Sequence, residues 1–222
     1  MAAPQEITTE RLSGNWILNK SLTSEPDPIF KLQKIPWLLR KAFGLAGIYI
    51  QISQYPTPTQ ASQPVTKIDF SQTATAGLVG TKEERVLDWK LSDHEDYFFG
   101  FVQGRCEFVY GVTDEDGVIR PDFELQTTQS NTQLKQYLRG EVERDGSMSA
   151  GFLVEEQSQM PEKGPGLWVH TFEQNVKSGW TAEQIWGFEI IGGLRYFSRR
   201  GVVMTAKGQY ICGRIVFDFV SS

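Results

Sequence analysis

Hydrophobic and polar residues alternate along most of this chain, a pattern typical of β-strands with one buried face. The alternation is clearest in GIYIQISQY, where Ile48, Ile50 and Ile52 fall on one face. Similar runs follow in VTKIDFSQT, ERVLDWKL, DYFFGFVQG and RCEFVYGV. The last third, LWVHTFEQNV, TAEQIWGFEII, LRYFSRRGVVMTA and QYICGRIVFDFV, predicts four consecutive strands joined by SGW, GG and KGQ turns. Together these runs predict an antiparallel meander.

The pattern changes to a helical one directly after the first strand, which we expect from about residue 15 to residue 19. Apolar residues then recur near helical spacing, and Pro36 interrupts them. Because proline cannot continue a helix, we predict two short helices, at about 28–33 and 36–44.

Other segments are richer in turn residues. Residues 1–11 are polar and are expected to form a flexible tail, which leaves 12–222 as a single domain. PTPTQASQP predicts a flexible turn, and Gly77 and Gly80 bracket a short strand. The middle, about 111–165, includes the polar stretch TTQSNTQLKQ and predicts long loops with one or two extra strands.

The two ends of the strand pattern suggest how the sheet is completed. The first predicted strand lies near the start of the chain, and the last one ends two residues before Ser222. If these two strands pair, the sheet closes, which removes the exposed edges that promote aggregation. We therefore predict an all-β fold, a single antiparallel up-and-down β-barrel with a short two-helix lid after the first strand.

Composition and charge exclude several classes of protein. The chain has 22 basic and 27 acidic residues, a formal net charge of −5, and no basic stripe, so a nucleic-acid partner is not expected. No apolar run approaches the roughly 20 residues that span a bilayer. The first residues resemble no signal peptide, so a cytoplasmic location is expected. Cys106 and Cys212 lie within predicted strands and are interpreted as buried structural thiols.

The order of these features resembles that of the calycin superfamily, which contains the lipocalins and the fatty-acid-binding proteins. Gly14-Asn15-Trp16 matches the Gly-x-Trp motif of their first strand, and WLLRKAFGLAGIYIQISQY is similar to the second lid helix and following strand of fatty-acid-binding proteins. The segments GTKEERVLDW, HED and WTAEQIWGFE are similar to those of a group of fungal lipocalin-like proteins. These resemblances imply a calycin-like barrel that encloses a small molecule.

The resemblance also implies roles for particular side chains. Arg214 matches an inward arginine of the last strand that binds a ligand carboxylate, although Val216 stands where the family has its partner tyrosine. Trp16 would plug the narrow end of the barrel, where lipocalins pack an arginine over the ring. Arg199, Arg200 or Arg214 could provide that contact.

Candidate acid–base residues are few. His94 lies among acidic residues in SDHEDYF, as either a solvated turn or a histidine–carboxylate pair at the barrel rim. His170 shares a strand face with aromatic residues, either as a satisfied core group or as a contact in the cavity.

Glu183 and Glu189 share one face of their strand, opposite Trp186. We favour the aromatic face as the inner one, which would leave both glutamates in water; otherwise Arg195 and Arg199 could be their partners.

Similar reasoning about strand faces gives a ligand-binding set. In VLDWKL, Leu87, Trp89 and Leu91 are predicted to point inward and Asp88 outward. The predicted ligand contacts are Trp16, Trp37, Arg40, Trp89, Phe99, Trp186, Phe188, Arg199 and Arg214.

Two functions remain open, together with a third, structural possibility. The first is binding of a small hydrophobic molecule (a lipid or a polyketide- or terpenoid-like compound) inside the barrel, by a monomer or homodimer. The alternative is a cyclase or isomerase of fungal secondary metabolism acting on such a molecule, with His94, His170 or Glu189 as acid or base. The chain contains no nucleophile elbow, nucleotide-binding loop or metal motif, so neither a cofactor nor a metal is expected. The third possibility is an interaction module whose barrel is filled by its own side chains.

Overall fold

The computed structural model describes residues 1–58, 64–75, 80–127, 131–158 and 160–221. Most of the turn predicted at PTPTQASQP, and the strand predicted after Gly77, lie outside these residues. The strands are β1 Gly14–Leu18, β2 Ile48–Thr57, β3 Val65–Ala74, β4 Thr81–Val86, β5 Ser92–Asp96, β6 Gly100–Val109, β7 Gly111–Thr113, β8 Ile119–Pro121, β9 Trp168–Asn175, β10 Thr181–Ile191, β11 Leu194–Met204 and β12 Tyr210–Ser221. The helices are α1 Pro26–Leu32, α2 Trp37–Leu45 and α3 Thr132–Arg139, and Pro161–Lys163 forms a 3-10 turn.

Ten of the described strands form one antiparallel sheet, in the order β4-β3-β2-β1-β12-β11-β10-β9-β6-β5. The predicted pairing of the first and last strands is confirmed, since Trp16 lies opposite Phe219 and Leu18 opposite Phe217. The sheet is a nearly closed barrel with its seam beside β4. Across this seam the Cys106 thiol donates to the Val86 carbonyl over 3.3 Å, and the Trp89 amide donates to the Cys106 carbonyl over 2.9 Å.

The strand alternation assigns the two faces of the barrel wall. Ile48, Ile50 and Ile52 belong to the inner core, as predicted. Trp186 and Phe188 belong to the same core, so the prediction that the aromatic face of β10 points inward is also confirmed. The four final strands have nearly the predicted bounds, because long strands of β-branched and aromatic residues give a strong local signal.

The strands around the seam differ from their prediction. DYFFGFVQG and RCEFVYGV are not two strands, because Tyr97–Phe99 forms a turn and Gly100–Val109 is one continuous strand. The strand at ERVLDWKL ends at Val86, and Trp89 has a left-handed φ of 57°. The expected common inward face of Leu87, Trp89 and Leu91 is therefore wrong.

The middle of the chain forms an outer layer over one side of the barrel. It contains the two-stranded sheet β7–β8, as expected, and also the helix α3, which the sequence analysis missed. The helix begins with the Asn131 side chain accepting from the Leu134 amide over 3.1 Å and ends at Gly140 in the left-handed conformation. Its buried face packs with outward side chains of β10 and β11, including Ile185 and Val202, in a second core.

The first eleven residues were expected to be a flexible tail. In the structure, Ala3 and Ile7 are buried in the inner core. The Arg195 guanidinium donates to the carbonyl oxygens of Pro4 and Ile7, each over 2.6 Å. The segment therefore covers the end of the barrel that contains Trp16.

The two lid helices lie near the opposite end. Ile29 and Leu32 of α1 pack against a small core that contains Val102 and Trp180. Phe43 of α2 contacts Phe98 in the β5–β6 turn, with ring centroids 4.6 Å apart. The lid helices therefore contact both the small core at Val102 and Trp180 and the β5–β6 turn. Among the described residues, no helix has the length and apolarity needed to cross a bilayer.

Candidate active site

An aromatic floor closes one end of the barrel interior. The Trp16 ring is only 1% exposed and contacts Phe188, Phe197 and Phe219 at centroid distances of 6.4, 5.3 and 5.0 Å. Gly14 has a φ of +149°, and a Cβ at this position would lie 2.8 Å from the Phe219 ring. The Gly-x-Trp pattern is therefore explained by packing, because only glycine lets β1 approach this ring.

Arg199 lies directly above this floor, on the inner face of β11. Its guanidinium carbon is 3.9 Å from the centroid of Trp186, and Phe70 and Phe217 lie at 4.9 and 5.1 Å. An arginine was predicted to pack over the Trp16 ring. In the structure, Arg199 packs over the Trp186 ring instead. The Nε and Nη2 atoms of Arg199 are buried and have no hydrogen-bond partner among the described residues. Burial, reinforced by the like charge of Arg85, lowers the pKa of Arg199 to about 9, so the side chain remains protonated at neutral pH.

A second charged group faces Arg199 from the strands near the seam. Arg85 on β4 forms ion pairs with Glu83 on its own strand and with Glu173 on β9. Burial raises the pKa of Glu83, as does the like charge of Glu173, while Arg85, His94 and Arg199 oppose the shift. The pKa of Arg85 is raised despite its burial, because both carboxylates stabilise its charge.

The inner wall above the floor carries charged and polar side chains. Glu83 faces inward opposite Phe70, yet 30% of its side chain is exposed, and Glu173 keeps 21%. Solvent therefore reaches part of these two carboxylate side chains. We refer to the space lined by Glu83, Arg85, Glu173, Gln184 and Arg199 as the chamber.

Two predicted residues lie toward the lid end of the chamber. His94 is in β5 rather than in a turn, opposite the inward residue Val102. Phe99 packs with Trp180 at a centroid distance of 5.7 Å. Both residues lie toward the lid end of the barrel, and the role of His94 as an acid or base stays a prediction.

His170 and Glu183 lie outside the barrel, beneath the outer layer. The His170 Nε2 atom is 2.9 Å from a Glu183 carboxylate oxygen, and the other ring contacts of His170 are Trp89 and Phe123. Glu183 is 0% exposed and also accepts hydrogen bonds from the amides of Gln126 and Thr127. The pair therefore anchors the outer layer to the wall, and Trp89 points away from the interior.

Glu189 was expected to face water, or to pair with Arg195 or Arg199; it is instead 2% exposed. Its carboxylate accepts from Arg200 Nε over 2.6 Å and from Arg214 Nη1 over 2.9 Å. Arg214 is thus directed outward, where it lines a 580 Å³ surface cleft together with Tyr137 and Arg144. The glutamate face is covered by the outer layer, which the alternation within β10 alone does not reveal.

Two further predicted ligand contacts are on the lid. Trp37 is 62% exposed on the outer side of α2. Arg40 lies between the lid helices, with its Nε 3.5 Å from the Asp27 carboxylate. Of the predicted set, the barrel interior therefore brings together Trp16, Trp186, Phe188 and Arg199.

The sequence analysis missed Glu83, Arg85 and Glu173. In TKEERV charged residues occupy both faces of the strand: Lys82 and Glu84 point outward, and Glu83 and Arg85 point inward. Glu83 and Arg85 lie opposite the inward residues Phe70 and Ile68, a register that only the structure shows.

The fold and the site define a nearly closed antiparallel β-barrel with an aromatic floor, a chamber containing charged residues and a helical lid. No family model matches the chain. The chain is 26% identical over 219 residues to "Probable pericyclase scpY" of Mollisia scopiformis, covering 99% of this chain and 95% of the relative. It is 24% identical over 221 residues to "Pericyclase pydY" of an Acremonium species, covering 99% and 97%.

Among solved structures, the chain is similar to the fatty acid transporter REP1-NXSQ and to a point mutant of it. The TM-score is 0.43 for both, with 10% and 11% identity. The match covers 94% of this chain in each case, and 96% and 98% of the two transporter chains.

Proposed function

We propose that this protein is a cofactor-independent pericyclase that closes a ring in a flexible, mostly apolar secondary metabolite inside the barrel. The observation that carries the proposal is the Arg199 guanidinium, which lies on the inner face of β11 over the Trp186 ring, with its Nε and Nη2 buried and without a hydrogen-bond partner among the described residues. Similarity to two named pericyclases over nearly the whole chain supports the same function.

A pericyclic ring closure has modest chemical requirements. In a cycloaddition two σ bonds form as two π bonds are consumed, and no atom enters or leaves. An enzyme can therefore act by holding diene and alkene in a reactive geometry. The Trp186 and Phe217 rings would provide an apolar surface for the polyene, and the lid helices would limit water above it.

Arg199 would add electrophilic activation. A carbonyl conjugated to the reacting alkene gains negative charge as the new bonds form, and a fixed donor stabilises that charge. The guanidinium is already desolvated and is held over Trp186, so little reorganisation is needed when substrate binds. His94 remains a proposed contact at the rim, whereas His170 and Glu189 lie behind the barrel wall and have no path to this carbonyl.

The test uses linear polyenes in which a diene is tethered to a carbonyl-conjugated alkene. The rate of cyclisation and the ratio of product stereoisomers are compared with the reaction without enzyme. Removing one transition-state donor typically costs about 10²–10³ in rate, so we expect that loss for Arg199→Met. Trp37→Ala, an exposed change on the lid, is the matched control and should retain the wild-type rate. Wild-type protein that neither accelerates cyclisation nor changes the stereoisomer ratio would refute the proposal.

The second candidate is a carrier that binds a hydrophobic molecule without transforming it. The apolar floor beneath partly exposed polar side chains favours this function as well. A carrier would retain its ligand unchanged after prolonged incubation, whereas a pericyclase would release a cyclised isomer of identical mass. Chromatography of the extracted ligand separates the two outcomes.

The fungal origin of both named relatives supports the further proposal that the chain belongs to the fungal lipocalin-like group it resembles.

A further inference from the structure

A polar cleft lies on the outer side of the barrel wall, where the outer layer meets the loop after β1. Its volume of 580 Å³ is within the range of small-molecule sites. Arg214 lines it from the outward face of β12, so the wall separates it from the chamber. We call it the outer cleft, and its lining consists of Leu22, Thr23, Ser24, Tyr137, Glu143, Arg144, Asp145 and Arg214.

Both sides of the outer cleft are held in place by hydrogen bonds. On one side, the hydroxyls of Thr23 and Ser24 accept from backbone amides of β12, each over 2.9 Å. On the other side, the Asp145 carboxylate accepts from the Ser147 amide over 3.0 Å within a tight turn. The lining groups are therefore positioned before a ligand arrives, which lowers the entropy cost of binding.

The outer cleft contains donors that the fold does not use. Arg214 donates through Nη1 to Glu189 over 2.9 Å and to Glu143 over 3.4 Å, which leaves its Nε and Nη2 free, and 24% of its side chain is exposed. Arg144 is exposed and forms no hydrogen bond or ion pair with the described residues. Tyr137 is only 3% exposed, yet its hydroxyl is neither sealed from solvent nor bonded to a described residue. Burial raises the pKa of Tyr137, so this hydroxyl stays protonated and able to donate.

The outer cleft also contains carboxylate oxygens that the fold does not use. Glu143 accepts three hydrogen bonds, all through Oε1, and 34% of its side chain is exposed. Burial alone would raise the pKa of Glu143, but the Ser149 hydrogen bond and two arginine charges lower it, so the group stays ionised. Asp145 accepts from Ser147 through Oδ1 only, and these bonds lower its pKa. Glu143 Oε2 and Asp145 Oδ2 are therefore available as charged acceptors.

Free donors and free acceptors of opposite charge thus line the same cleft. A simple anion would be repelled by the two carboxylates, and a simple cation by the two arginines. We infer that the outer cleft binds a small zwitterion of the α-amino-acid class, which carries an ammonium and a carboxylate on one carbon. The carboxylate is held by Arg144 and by the free edge of Arg214. The ammonium is held by Glu143 and Asp145.

The experiment measures binding to the full chain, independently of any activity in the barrel. Glycine, L-leucine and L-phenylalanine are the zwitterions. Two analogues of leucine each lack one charge: 4-methylpentanoic acid has no ammonium and L-leucinol has no carboxylate. Calorimetry gives the affinities, and amide chemical shifts in nitrogen-15 spectra locate the site. We expect shifts at residues 22–24 and 143–145, and binding of L-leucine about ten-fold or more tightly than either analogue, because each analogue loses a charge-assisted contact.

Variants assign each charge of the ligand to its side of the outer cleft. Arg144→Gln should reduce the preference for L-leucine over L-leucinol about three-fold or more, since that ratio reports the carboxylate contact. Asp145→Asn keeps an oxygen toward Ser147 and should reduce the preference for L-leucine over 4-methylpentanoic acid to a similar extent. Arg11→Gln, a change of an exposed arginine on the N-terminal segment, is the matched control and should leave both ratios intact.

Three results would overturn the inference. The first is the absence of shifts at the outer cleft with all three zwitterions. The second is an analogue that binds as tightly as L-leucine, which would make the cleft a site for a simple anion or a simple cation. The third is a pair of ratios that neither Arg144→Gln nor Asp145→Asn changes. None of these results bears on the pericyclase, because the cyclisation assay tests the chamber separately.

Discussion

Arg199 stacks on Trp186 at 3.9 Å and leaves its Nε and Nη2 without a hydrogen-bond partner among the described residues. Buried polar groups in folded proteins are nearly always hydrogen-bonded, and exceptions concentrate where function requires them. Burying these two donors without partners therefore destabilises the fold, and the contact with the Trp186 ring offsets only part of that cost.

Replacing Arg199 by methionine should separate stability from function. The substitution fills similar volume without a desolvated charge, so the free energy of unfolding should be unchanged or rise by up to about 2 kcal/mol. Urea unfolding of Arg199→Met and wild type measures the difference. A loss of more than about 2 kcal/mol would indicate that the guanidinium has a structural role that its contacts do not reveal.

Trp16 should be among the most costly residues to truncate. Its ring is enclosed by three phenylalanines and by the N-terminal segment, so Trp16→Ala leaves a cavity in the floor. We expect a loss of about 3–5 kcal/mol in the free energy of unfolding. Trp37→Ala changes an exposed ring and should stay within about 0.5 kcal/mol. Equal effects of the two substitutions would contradict the assignment of Trp16 to the floor.

The ion pair of Glu189 and Arg200 should be strongly coupled. Glu189→Ala leaves the fully buried Arg200 guanidinium without its closest carboxylate, and about 3–5 kcal/mol should be lost. The double variant Glu189→Leu with Arg200→Met removes both charges and should recover much of that loss. Thermal and urea unfolding of Glu189→Leu, Arg200→Met and the double variant that combines them give the coupling energy. Additive effects would show that the two groups do not act as a pair.

His170 should make stability depend on pH. Burial opposes protonation, but Glu107 and Glu183 outweigh it and raise the pKa of His170. A raised pKa in the folded state stabilises the fold at pH values below the unfolded pKa of about 6.5, and this contribution is lost as pH rises through the folded pKa. The free energy of unfolding of the wild type should therefore decline across that interval.

The variant His170→Gln tests the origin of that decline. It keeps a donor toward Glu183 but cannot titrate, so its unfolding free energy should vary less with pH over the same interval. Urea titrations at a series of pH values compare the two proteins. An identical pH dependence in both would assign the effect to other groups.

Much of the fold could be predicted because it depends on local patterns. The strands from Trp168 to Ser221 and the helix pair after β1 follow from side-chain alternation, turn residues and Pro36. The helix α3 was missed because its sequence TQLKQYLR is polar and follows turn-like residues, and its burial depends on packing against β10 and β11. The seam was also mispredicted, since the left-handed turn at Trp89 breaks a run that reads as a strand.

Arg199 and Arg200 illustrate what the sequence alone could and could not predict. Alternation within a strand determines that these neighbours point to opposite sides of the wall, and the alternation of β10 and β11 correctly placed the aromatic face inside. It could not determine that Arg200 is fully buried with Glu189, because that depends on the outer layer folding back over a face that resembles a solvated one. Nor could it place Glu83 and Arg85 near Arg199, since they come from a strand more than a hundred residues away. Curvature of the sheet brings them together, and only the tertiary structure fixes that curvature.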